Sequence, residues 1–285
     1  MHYQMTSSLL IGALLFSGGV LADTTDQGDA WSKVQERGEG EIRVLYVPAS
    51  GWAYQDEDGQ LTGVTVELMR DFADWVENEH EVELAVEFVE EADWSVFYDR
   101  VRDGKDGVFG VGNVTITDDR REELAFSPPY IINVAVGISH EDVPELESES
   151  ALADTFDGLS ALAFRETLHE DRLQALREAH APDMPLKRAD SNDEIIERVA
   201  EGDYFAYIDA YNYWRAREAG KPLRHHPVLD DPGEAFGVIM PRDTDWLSVM
   251  EDYFEHGDGL LESPFYRGLL EEHLGKEVAR LLLEQ

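Results

Sequence analysis

The 285-residue chain contains no cysteine. Disulfides, thiol nucleophiles, cysteine metal sites and an N-terminal lipid on cysteine are therefore excluded. Basic residues are scarce: 23 Lys and Arg stand against 61 Asp and Glu, a formal net charge of −38. Nucleic acid is held through phosphate contacts that need a basic surface, so it is excluded as a partner. An anionic membrane would repel the chain. No acidic block marks a tail. The acids interleave with apolar residues, as in Glu81-Val82-Glu83-Leu84-Ala85-Val86-Glu87-Phe88. That reads as a folded protein with an acid-coated surface, which suits a salt-rich habitat or simply an acidic exported protein. Long hydrophobic runs are lacking as well. Leu9–Leu21 is almost wholly apolar or small but too short to span a bilayer, which takes about 20 residues.

That run reads as the hydrophobic part of a signal peptide over residues 1–22. Val20-Leu21-Ala22 supplies the cleavage pattern, and Asp23 starts the mature chain. No Lys or Arg precedes the run, so a start at Met5 is an alternative. No membrane insertion is expected after cleavage. What remains is rich enough in hydrophobic residues for real cores, and its length suits two domains.

Hydrophobic period places the elements. Residues 23–40 read as a loose lead-in with one short helix near Trp31. Ile42–Val47 and Val82–Phe88 read as strands, Leu61–Trp75 and Ser95–Val101 as helices, and Val108–Val111 as a buried parallel strand. The order is βαβ, so an α/β domain is expected. Ile131–Ile138 leads out of it. A second domain follows, with strands Leu159–Phe164 and Tyr204–Ile208 and helices Leu168–His180, Asn192–Val199 and Tyr211–Arg217. Ala235–Met240 returns to the first domain, and Trp246–Phe254 and Phe265–Leu283 are C-terminal helices. The boundaries are 41–131 with 236–285 for lobe 1 and 132–235 for lobe 2. Two crossings make a hinge with a ligand cleft between the lobes.

One stretch is more specific. Trp94, Val101, Gly104-Lys105, Thr115-Ile116-Thr117, Arg120 and Phe126-Ser127-Pro128-Pro129-Tyr130 occur in that order. Trp52-Ala53-Tyr54 precedes Asp58-Gly59-Gln60-Leu61-Thr62-Gly63, and Asp209 closes the Tyr204–Ile208 run. The chain thereby resembles the family 3 extracellular solute-binding proteins, the polar amino-acid-binding components of ABC importers. The resemblance covers roughly residues 40–275. It implies the two-lobed periplasmic-binding-protein fold of type II, a periplasmic monomer, no cofactor and a permease partner.

The resemblance also assigns roles. Arg120 clamps a ligand α-carboxylate, for which a planar guanidinium fork is suited. Asp209 accepts the α-ammonium. Trp52 stacks on the ligand side chain, and Asn113, Thr115 and Thr167 supply polar contacts. From the residues alone, Arg120 is equally a surface partner of Glu123 or Asp119, and Asp209 a helix N-cap. Departures from the family pattern include Glu166 where a Gly is usual and an added cation, Arg165. Arg165, Glu166 and Tyr54 are candidates for the ligand side chain. No metal site is expected: His225-His226 lacks a spaced third ligand, and no nucleophile elbow or dinucleotide fingerprint is present. The expected function is capture of a small zwitterion, an amino acid or derivative, without chemistry. The alternatives are a sensor uncoupled from transport and a rare same-fold enzyme such as a dehydratase.

Overall fold

The computed structural model describes residues 25–283, so the expected signal peptide lies outside the described residues. The strands are β1 (Glu39–Tyr46), β2 (Tyr54–Gln55), β3 (Leu61–Thr62), β4 (Glu83–Glu90), β5 (Val108–Thr115), β6 (Leu124–Phe126), β7 (Ile131–His140), β8 (Ser160–Phe164), β9 (Leu186–Ala189), β10 (Tyr204–Asp209) and β11 (Leu223–Pro241). The helices are α1 (Trp31–Arg37), α2 (Val64–His80), α3 (Trp94–Arg102), α4 (Asp118–Glu123), α5 (Leu152–Thr155), α6 (Leu168–His180), α7 (Asn192–Ala200), α8 (Ala210–Glu218), α9 (Leu247–Glu255), α10 (Pro264–Leu274) and α11 (Lys276–Leu283).

Helix starts follow side-chain chemistry. Asp93 caps α3 by accepting from Val96 N, Thr117 caps α4, Ser191 caps α7, and Ser263 caps α10 ahead of Pro264. The expected single C-terminal helix is broken at Gly275, whose φ of 89° no helix contains.

The strand order β4-β1-β5-β11-β7-β10-β8-β9 runs through both lobes, with β6 on β11. In the first lobe β1 pairs in parallel with β4 and β5. In the second β8 pairs in parallel with β9 and β10. Each lobe buries apolar side chains on both sheet faces: Phe72, Phe109 and Trp246 lie opposite Phe97 and Val101, and Phe156 and Phe205 opposite Ile195 and Ile208. The two-lobed α/β architecture is as expected.

The hinge is more continuous than its sequence implies. β11 is 19 residues long and pairs antiparallel with β7 in one lobe and with β5 and β6 in the other. Its register shifts between His226 and Asp231 and again between Pro232 and Glu234. Such irregularities bend a strand where the lobes meet.

The lead-in is not loose. Asp26 is buried and bonded by Arg100 Nε at 2.8 Å and Arg43 at 3.3 Å. Trp31 is buried between His80 and Trp246. Among the described residues no helix is long and apolar enough to cross a membrane.

Candidate functional site

A cavity of about 220 Å³ lies between the lobes. It is lined from the first lobe by Trp52, Trp94, Asn113, Thr115 and Arg120, from the second by Thr167, His169, Asn192, Asp209, Tyr211 and Asn212, and from the hinge by Glu234. Six predicted site residues therefore meet at one cavity: Arg120, Asp209, Trp52, Thr115, Asn113 and Thr167.

Arg120 follows from the local fold. β5 ends at Thr115, Thr117 caps α4, and the guanidinium turns back so that NH1 donates to the Thr115 carbonyl at 2.9 Å. Its carbon lies 5.2 Å from the Trp94 ring centroid and 5.8 Å from that of Tyr98. No carboxylate pairs with it among the described residues. Glu123, the neighbour that would hold it as a surface residue, accepts from Tyr98 OH at 3.0 Å instead. Burial lowers the Arg120 pKa from its ordinary value, and Tyr98, Glu234, Asp171 and Glu123 oppose this.

Trp52 is 1% exposed, 6.0 Å from the Tyr130 ring and 5.1 Å from the Tyr211 ring. Its carbonyl accepts from Thr65 Oγ1 at 2.8 Å. Gly63 sits against that carbonyl at φ 126°, where a Cβ would clash, so glycine is required. Asn113 is spent on the protein: Tyr130 OH donates to its Oδ1 at 2.8 Å, and its Nδ2 donates to Tyr211 OH at 2.9 Å. It joins the lobes. Thr167 Oγ1 donates to the Phe164 carbonyl at 2.9 Å.

The structure does not bring the other three candidates to the cavity. Tyr54 OH bonds His273 Nδ1 at 3.0 Å, drawn away by the C-terminal helix α10. Arg165 Nε donates to Asp190 Oδ1 at 2.9 Å on the exposed surface. Glu166 is exposed, in a left-handed turn at φ 59°, with its amide on Glu170 Oε2 at 2.8 Å.

Asp209 is 6% exposed; it occupies the N-cap position of α8, but its side chain makes no cap bond to the helix. Its Oδ1 accepts from Asn133 Nδ2 at 2.7 Å and faces His169 Nε2 at 3.3 Å. The second hydrogen of Asn133 Nδ2 goes to Glu234 Oε2 at 2.9 Å. Asn133 and Glu234 are register partners on β7 and β11. Arg172 pairs with Glu234 at 2.5 Å and with Asp231 at 2.7 Å, and its NH1 meets His169 Nδ1 at 3.2 Å. Sequence reasoning missed this network because its members come from four separate elements with no common spacing. It also left Trp94 outside the site, although Trp94 opens the quoted motif.

His169, Asp209 and Glu234 offer donor atoms within 4.8 Å of one another, a set that suits a divalent cation. The hydrogen bonds oppose that use. A guanidinium only donates, so His169 Nδ1 accepts from Arg172 and the ring proton sits on Nε2, facing Asp209. That nitrogen has no lone pair to give.

Some of the buried polar atoms without partners line this cavity. Trp52 Nε1, Asn192 Oδ1 and Asn212 Nδ2 are buried, unbonded and on cavity-lining residues. Native structures pair most buried polar groups, so unpaired ones lining a cavity call for a partner such as water or a ligand. The rim is bridged across the lobes: Ser50 Oγ donates to Asp193 Oδ2 at 3.2 Å, and Arg215 NH1 to the Ser50 carbonyl at 2.6 Å.

Residues 42–259 match the model of the bacterial extracellular solute-binding proteins, family 3. The chain belongs to that family. No curated protein sequence matches it. Among solved structures, an ancestral arginine-binding protein bound to arginine aligns over 82% of this chain and 97% of its own, at 16% identity and a TM-score of 0.66. An ABC uptake transporter substrate-binding protein from Streptococcus pneumoniae with bound histidine covers 87% and 97%, at 18% and 0.66. An ancestral amino-acid-binding protein described as a precursor of cyclohexadienyl dehydratase covers 85% and 98%, at 20% and 0.62. At these identities the likeness is one of fold.

Proposed function

We propose that this family 3 protein captures a small zwitterion, an amino acid or derivative, by bridging Arg120 in one lobe to Asp209 in the other. The observation that carries the reading is Arg120: partly buried, on the cavity lining, and paired with no carboxylate among the described residues. A ligand carboxylate supplies what the protein withholds. Asp209 stands opposite in a fixed orientation, with Asn133 and His169 on one oxygen. Neither lobe alone satisfies both ends of a zwitterion, so occupancy favours the closed form. The lobes are residues 41–131 with 236–285, and 132–235.

Binding without chemistry fits the site. His169 has both ring nitrogens engaged and offers no free base. Export by the residue 1–22 segment to the periplasm, a monomeric state and delivery to an ABC permease complete the reading, by analogy with the family. A thermal-shift screen of standard amino acids, dicarboxylates and small peptides in high salt tests it, with Arg120→Ala and Asp209→Ala alongside. A ligand should raise the midpoint of the wild type and of neither variant. An equal shift in Arg120→Ala rules the site out.

A further inference from the structure

Apart from Arg120, the charged groups around the cavity are already engaged by the protein. Asp209 holds Asn133 and His169, Glu234 holds Arg172 and Asn133, Asp190 takes Arg165, and Asp193 takes the Ser50 hydroxyl at the exposed rim. What stays unspent is neutral. Asn192 opens α7, and Asn212 lies in the first turn of α8; both line the cavity. Neither side-chain amide bonds any described residue. Asn212 is 6% exposed, and its Nδ2 is buried without a partner, as is Oδ1 of Asn192.

Helix capping does not account for them. Ser191 Oγ already takes the Glu194 amide at the start of α7. Each amide keeps one donor group and one acceptor whichever way it is turned. Two such groups on one wall are met in full only by a ligand group that both donates and accepts.

We propose that Asn192 and Asn212 select the ligand side chain, and that this side chain carries a neutral group of the carboxamide or ureido class. The proposal rests on the reading above, in which Arg120 and Asp209 hold the α-carboxylate and α-ammonium. A carboxylate side chain brings no donor for Asn192 Oδ1. A guanidinium brings no acceptor for Asn212 Nδ2. An alkyl chain leaves both unmet, and a site built to hydrogen-bond penalises a ligand that cannot.

Calorimetric titration of the protein with glutamine, citrulline, glutamate, arginine and norleucine tests this. Glutamine or citrulline should bind at least about tenfold tighter than the other three. Arginine, glutamate or norleucine binding as tightly overturns the proposal. If that binding is still lost in Arg120→Ala, the solute site stands and only the side-chain assignment fails. If none of the five binds while another amino acid of the thermal-shift panel does, and that binding is lost in Arg120→Ala, the side-chain assignment is overturned and the solute site stands; if nothing in either panel binds, the solute-binding reading fails with it. Asn192→Asp and Asn212→Asp keep shape and suit a helix start, so they should fold. Combined, they should move preference from glutamine toward arginine, because only acceptors remain. Unchanged glutamine affinity in the combined variant also overturns the proposal.

Discussion

Among the described residues, Arg120 on the first-lobe wall has one side-chain hydrogen bond and no ion pair; on the second-lobe wall, Asp209 sits in a network with Asn133, His169, Glu234 and Arg172. One charge is kept available and the other is held in place. A guanidinium has five donors and is weakly hydrated, so it tolerates partial burial over aromatic rings while unpaired. A carboxylate in the same place costs more, and a second acid at the hinge doubles the demand. Arg172 and Asn133 meet that demand. The wall that looks more reactive is thus the one whose bonding is more complete.

The largest test of this contrast is stability. Arg172→Ala leaves Glu234 buried without its cation and should cost about 3–5 kcal/mol in urea unfolding. Arg120→Ala should cost less than about 2 kcal/mol, since it loses the ring contacts and one hydrogen bond to the Thr115 carbonyl but no ion pair. Equal losses would break the comparison. In ligand titration the order reverses. Arg120→Ala should weaken binding by about 2–5 kcal/mol, because it removes a charged partner of the ligand itself.

A smaller effect separates the lobes by pH. His226, in the second lobe, has its pKa pushed down to about 4 by burial, with Arg224 and His225 adding to it. Its Nδ1 accepts from Leu146 N at 3.1 Å, and its Nε2 bonds Ser139 Oγ at 2.8 Å. The neutral ring is the folded form, so the unfolded chain binds the extra proton first. Stability contributed above pH 6.5 is lost as pH falls toward about 4, by roughly 3 kcal/mol. Unfolding curves of wild type and His226→Gln across that window should converge in slope if another group is responsible. The smallest effect concerns the lobe bridge. Tyr211→Phe removes the hydroxyl bonded to Asn113 and should weaken ligand binding by about 1 kcal/mol, with little change in preference.

Much of this fold is legible in local pattern. Helix α6 buries Leu173 and Leu176 of the expected leucine spacing, though not Leu168, β1 and β5 follow apolar runs, and β4 follows the alternation over Val82–Phe88. Residues 223–234 hid the long hinge strand because His225, His226, Asp230, Asp231 and Pro232 break any period, and pairing with β7 decides instead. The site was legible where the motif is contiguous, around Thr115 to Arg120. It was not legible at Glu234, Asn133 and Arg172, whose meeting is set by the hinge register. Glu166 and Arg165 stand beside Thr167 in sequence but turn outward at the start of α6, and adjacency could not show that.

The central claim is that one zwitterion bridges Arg120 and Asp209. It is tested most directly by titrating the wild-type protein with its best amino acid and with two analogues, one lacking the carboxylate and one lacking the amine. The account predicts that both analogues lose binding by about 2 kcal/mol or more. Retention of full affinity by either analogue would contradict it.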